Sequence, residues 1–311
     1  MYNSSKQFNN KSVVDLSEET TPRDLSAISP MIGIDDYDSD AAFPQLFDTF
    51  LKTQDTAPLD SLVIGNWSPD FDLSETSQLT EAMQTIIDNK DKYPALKALF
   101  VGNIEQEQSE ISWIEVVDYA PYLNKDFQNI EYFRARGEGS FLQTAIQSVQ
   151  LKKLAFETGG LSNNTIINIT KSQLPNLEHL ELWIGSEYYG SVTIDDIKSL
   201  LNTDKLPKLK YLGLRNCEII DDVIPLLADS PLFKQIEVLD LSLGNLSNKG
   251  AKALAETDLS HLKKLIIDHH YVENDKLLDR IKSLVPHFSH ADRQEADTYN
   301  NEVNRYIMVS E

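Results

Sequence analysis

Five of the six histidines in this 311-residue chain fall in its last third, at His261, His269, His270, His287 and His290. His269 and His270 follow Asp268 directly, and His287 and His290 form an H-x-x-H pair with Asp292 close behind. Imidazole nitrogens and carboxylates bind zinc and related divalent ions, so Asp268, His269, His270, His287 and His290 make one candidate metal set. The spacing argues against it. A zinc-binding helix needs histidines four apart on one face, and a pair three apart fits no standard signature. Structural or surface histidines are the commoner explanation. A second candidate is the run Asp35, Asp36, Tyr37, Asp38, Ser39, Asp40, which begins like a calcium loop. Such a loop needs glycine at its sixth position and glutamate at its twelfth. Counted from Asp36 these are Ala41 and Phe47, so a strand-to-helix turn with Asp40 near a helix N-cap is the better reading. The only cysteine is Cys217, and no nucleophile elbow, phosphate loop or dinucleotide fingerprint occurs. The sequence offers no catalytic set and no cofactor site.

The elements that would position any site are clearer. LEHLELWIG from Leu177, LKYLGLRNC from Leu209 and IEVLDLSLG from Ile236 share one spelling, with apolar residues at positions one, four and six. That is the leucine-rich repeat. Allowing any apolar residue at those positions adds units starting at Leu59, Leu96, Ile130, Leu151 and Leu262, eight in all. The expected fold is an α/β leucine-rich-repeat solenoid, a right-handed horseshoe with a parallel sheet inside and helices outside. The linking segments support one helix per repeat. Thr193 and Asp196 are spaced as a capping box, Asp221 and Asp222 open another helix, and the stretches from Asn248 and Asn274 have helical apolar spacing. Pro94, Pro175 and Pro207 each stop a helix two residues before the next repeat. Cys217 stands at position nine, where the repeat places Asn or Cys in the turn, so a buried inert thiol is expected.

The two ends depart from the unit. Residues 1–28 are polar and read as a mobile tail. Residues 29–311 read as one domain, with a cap at 29–58, repeats at 59–287 and a second cap at 288–311. The first cap holds a strand from Met31 and a helix from Phe43. In the second, NRYIMVSE from Asn304 reads as a last edge strand. Trp67 and Trp113 read as core or edge packing.

Lysine and arginine total 28 against 49 aspartate and glutamate, a formal charge of −21. Nucleic acid and anionic membranes are repelled by such a chain. The absence of a signal-peptide core, of a long apolar run and of paired cysteines points to a cytoplasmic protein, expected to be a monomer.

Strand alternation then separates buried from exposed positions. Positions three, five and seven face away from the core and form columns across the sheet. They place Tyr132, Arg134, Arg136, His179, Glu181, Trp183, Tyr211, Arg215, Asp240 and Asp268 on one face. Tyrosine, tryptophan and arginine dominate interface hot spots, so this face is the candidate partner-binding surface. The partner would be a protein, and the chain a non-enzymatic scaffold. A metal-dependent protein using the histidine group and a structural subunit of a larger complex are the alternatives.

Beyond the generic repeat, ISWIEVVDYAPYL from Ile111, LEHLELWIGSEYYG from Leu177, IEVLDLSLGNLSNKGAKAL from Ile236, DHHYV from Asp268, and SHADRQEAD with RYIMVSE resemble a bacterial family of cytoplasmic leucine-rich-repeat proteins. The resemblance spans roughly residues 30–311. It implies a fold and a compartment and carries over no catalytic residue. The repeat length is also similar to that of the ribonuclease-inhibitor subclass, which implies protein binding on the concave face.

Overall fold

The computed structural model describes residues 4–35, 41–300 and 302–310. Twelve strands hydrogen-bond in chain order to form one sheet. They are β1 (Gln7–Phe8), β2 (Lys11–Asp15), β3 (Ile28–Ile32), β4 (Ser61–Ile64), β5 (Ala98–Val101), β6 (Tyr132–Arg136), β7 (Lys153–Glu157), β8 (His179–Gly185), β9 (Tyr211–Cys217), β10 (Val238–Asp240), β11 (Lys264–Ile266) and β12 (His287–Ser289). Neighbours from β2 to β12 run parallel, and β1 turns back antiparallel on β2. A separate hairpin joins β13 (Asp297–Tyr299) to β14 (Glu302–Asn304).

Strands β4 to β11 are the eight repeat units, each starting two residues after the first apolar residue of its unit. Register is unshifted along the array: Ser61, Ala98, Tyr132, Lys153, His179, Tyr211, Val238 and Lys264 stand side by side. The reason is the spelling itself. A one-residue slip would turn every position-four and position-six side chain out of the core. Those side chains, Leu180 and Leu182 or Leu212 and Leu214 for example, are fully buried, each worth about 1.5–3 kcal/mol over exposure. The chain is therefore a leucine-rich-repeat solenoid.

The helices are α1 (Phe43–Thr53), α2 (Thr76–Asp88), α3 (Asn163–Lys171), α4 (Ile194–Leu201), α5 (Ile220–Val223), α6 (Pro231–Gln235), α7 (Asn248–Glu256) and α8 (Asp275–Lys282). The expected capping box forms at α4: the Asp196 N–H donates to Thr193 Oγ1 at 3.3 Å, and the Thr193 N–H to Asp196 Oδ2 at 2.9 Å. The N-cap of α1 is Ala42; Asp36 to Asp40, including the N-cap expected at Asp40, lie outside the described residues. One helix per repeat is not what forms. Between β5 and β6 there is a 3₁₀ turn at Ile111–Trp113 and a π turn at Tyr122–Asp126. Between β6 and β7 the described chain has no helix, because the unit starting at Ile130 is too short to hold one.

Both ends need correction. Residues 4–28, expected as a mobile tail, supply β1 and β2 and start the sheet. Leu16 and Leu25 join the main core, and Phe8 packs on Val63, Ala98 and Phe100 on the sheet's open face, opposite the helices. The edge strand at the far end is β12, and residues 305–310 do not extend the sheet. They run back across the end of β9 and the loops that leave β11, β10 and β7. Tyr306 lies against Tyr271, Met308 N–H donates to Leu243 O, Val309 meets Asn216, and Ser310 O lies against Gly159. Val309 is buried with Ile111 and Trp183, and burying that valine favours the return path over an exposed edge.

Candidate binding surface

On the open face the middle strands carry charged and aromatic side chains in two linked networks. In the first, on β6 and β7, Glu157 is the hub. Arg136 Nε donates to Glu157 Oε2 at 2.8 Å and its Nη1 to Ile104 O at 3.1 Å. Arg134 pairs with the other Glu157 oxygen, its guanidinium stacked 4.1 Å from the Phe100 ring centroid. Lys153 Nζ lies 5.5 Å from the Tyr132 ring. The Arg134 Nε has no hydrogen-bond partner among the described residues.

The second network, on β8 to β10, centres on Glu181. It accepts from Arg215 Nη1 at 2.7 Å and Trp183 Nε1 at 3.0 Å, and His179 Nε2 stands 3.6 Å from its other oxygen. Tyr211 Oη donates to Asp240 at 2.8 Å, and its ring stacks on His179 with centroids 3.8 Å apart and planes 7° from parallel. Gly213, two residues further along β9, leaves room for the Tyr211 ring, since a Cβ there would lie 3.1 Å from it.

The charges respond as burial and pairing require. Burial pushes Glu181 up, but the His179 hydrogen bond, the Arg215 charge and the Trp183 N–H outweigh it and hold the carboxyl below its ordinary range. Burial pulls the Arg215 and Arg134 guanidinium groups down, and their carboxylate partners more than restore them. Tyr132 is pushed up to about 12, chiefly by burial. Tyr211 also rises, through burial and then the Glu181 and Asp240 charges. These carboxylate, guanidinium and phenol groups keep fixed protonation states near neutral pH.

The expected docking residues thus divide. Tyr132, Arg134, His179, Glu181, Tyr211 and Arg215 are part-exposed, whereas Arg136, Trp183 and Asp240 are buried and act as supports. Trp183 lies under Ile111 and Val309, which the repeat alone does not reveal. Asp268 is apart from both networks, accepting from Ser289 Oγ and from the Ala291 N–H at 2.7 Å. Lys153 belongs to the open patch and was given no role by the sequence, although its column position marks it.

The histidine group does not converge. His269 ring nitrogens face Asp292 at 3.4 Å and Tyr306 O at 3.3 Å, while His270 uses one nitrogen on His290 O and the other to accept the Val272 N–H. His287 is exposed and His290 stacks on Phe288. No group of three or more potential metal ligands occurs among the described residues. Cys217 is buried, and burial pushes its thiol up to about 12. Trp67 is in the core, but Trp113, expected in core or edge packing, is 61% exposed because Ile111 and Ile114 take the inward positions of its turn.

One titratable pair was missed. Glu138, just past β6, bridges to Glu115, and burial together with the Glu115 charge raises it to about 7, despite hydrogen bonds from Thr158 and the Gly139 and Gly160 backbone. Two acids twenty-three residues apart leave no local spacing signal.

The fold and this surface define a leucine-rich-repeat protein. No family model matches the sequence, and neither does any curated protein. Among solved structures, a protein from Bacteroides fragilis aligns with 27% identity and a TM-score of 0.77, over 90% of this chain and 77% of that one. An internalin from Listeria monocytogenes aligns at 15% identity and TM-score 0.36 over 86% of this chain and 75% of that one. The receptor of a TLR13–ssRNA13 complex aligns at 16% and 0.39 over 96% and 39%. Among the described residues no helix is long and apolar enough to cross a membrane.

Proposed function

We infer that the protein is a non-enzymatic recognition scaffold that docks a protein partner on the open face of its sheet, around Tyr132, Arg134, Lys153, His179 and Tyr211. One observation carries this reading: part-exposed aromatic and cationic side chains are already held in place by buried carboxylates and by ring stacking. Side chains ordered before binding lower the cost of association. Arg136, Trp183 and Asp240 keep that patch rigid and do not touch the partner. The fold alone would not justify the reading.

The test is capture of a stoichiometric partner from native lysate by wild type and by the Lys153→Glu, Tyr211→Ala double variant. The variant should lose the partner with little change in Tm. Undiminished capture would remove the patch from the binding site. The reading takes the chain as a cytoplasmic monomer of the ribonuclease-inhibitor-like subclass, in keeping with a single buried cysteine; a dimer mass by light scattering would contradict the monomer.

A further inference from the structure

We propose that the loop rim at the carboxyl ends of the strands is a second docking surface, which takes a lysine- and arginine-rich segment of a partner protein. Charge is segregated across the solenoid. The stretches that leave strands β4 to β11, residues 65–75, 102–121, 137–151, 158–170, 186–197, 218–233, 241–248 and 267–275, contain no lysine or arginine. The stretches that lead into the strands hold Lys90, Lys125, Lys171, Lys205 and Lys234. Of the cations beside the rim, Lys6, Lys249 and Arg293 are paired with Glu105, Asp222 and Asp275, Lys276 follows in the first turn of α8, and Arg305 sits at the far end beside Tyr271.

Two exposed aromatics stand on the same rim. Trp113 is 61% exposed and Tyr188 is 87% exposed. They belong to one surface: a Cβ on Gly159 would lie 3.3 Å from Ile111, two residues before Trp113, and a Cβ on the adjacent Gly160 would lie 2.5 Å from Tyr189. The Tyr188 and Tyr189 rings meet edge to face at 4.9 Å. Trp113 Nε1 donates to Glu110 Oε2 at 3.2 Å, which fixes an indole beside a carboxylate, and the exposed Glu187 adjoins Tyr188. An aromatic face flanked by carboxylates suits a guanidinium or ammonium group, through cation–π attraction and ion pairing. An apolar partner would strip water from these carboxylates without pairing them, so the charge selects the occupant.

The probe is an octa-arginine peptide titrated into the full chain at low ionic strength by calorimetry, with tryptophan emission followed in parallel. Trp67 and Trp183 are buried, so the emission change should come from Trp113. Saturable binding is expected, weakened about tenfold by Trp113→Ala with Tyr188→Ala, and about tenfold by Glu110→Gln with Glu187→Gln. Glu81→Gln with Asp279→Asn, on exposed faces of α2 and α8, should change it less than about twofold, since those charges are distant and screened. Lys153→Glu with Tyr211→Ala should leave it unaltered, which separates this surface from the open face. Octa-glutamate should not bind. Equal loss from the α2 and α8 pair, peptide binding abolished by the open-face variant, or no saturable binding would overturn the proposal.

Discussion

Residues 4–15 and 305–310 both return onto the sheet, yet they are secured in different ways. The first segment joins the sheet through β1 and β2 and buries Phe8 on the open face. The second adds no strand and buries Val309 in a small apolar group. What they share is an asparagine at position eight of a repeat. Asn103 accepts the Ser5 N–H at 2.6 Å and donates to Ser5 O at 3.3 Å. Asn216 accepts the Val309 N–H at 3.0 Å and donates to Val309 O. A side-chain amide satisfies both main-chain groups of an extended residue, much as a neighbouring strand would. The lesson is that this array uses asparagines at position eight to hold strap segments over the strand ends, and that strand pairing reinforces only the first strap.

That difference can be broken from either side. Phe8→Ala should have the largest effect, about 3–4 kcal/mol, since it empties an aromatic slot against Phe100 and Tyr132; urea unfolding would measure it. Asn216→Ala should cost about 2 kcal/mol. It strands two buried main-chain groups, and Asn216 has φ of +49°, a region alanine disfavours. Hydrogen exchange should then rise at residues 306–310 while β2 stays protected. Equal loss of protection in both segments would erase the distinction. Asn103→Ala should cost only about 1 kcal/mol, because the sheet still holds the segment and φ there is ordinary.

The Glu138 pair gives a pH-dependent counterpart on the rim between the straps. A carboxyl raised to about 7 in the folded state binds more protons folded than unfolded. Its contribution is complete below the ordinary glutamate range and is lost as pH climbs from about 4.5 through 7. Glu138→Gln should therefore be more stable than wild type at pH 8, by about 1–2 kcal/mol, and should flatten the fall in stability between pH 5 and 7. A parallel curve for the variant would show that the carboxyl titrates normally.

How much of this was legible follows from range. The eight strands were readable because each unit carries its own spelling, and the α4 cap because Thr193 and Asp196 are three residues apart. Residues 11–15, KSVVD, have no repeat spelling, and their strand exists because β3 is there to pair with. The burial of Trp183 depends on Ile111 and Val309, far away in the chain, so alternation correctly put it on the open face and wrongly left it exposed. Trp113 misled in the reverse direction, since its flanking isoleucines fill the inward positions. Register was legible; what covers the register was not.

The open patch between the two straps is the surface on which we propose that a partner docks. Photo-crosslinking from a benzophenone residue at position 153, compared with one at position 81 on the helical side, tests it most directly. A single protein adduct from position 153, with none from position 81, is the expected result. An adduct from position 81 and none from 153 would contradict the claim.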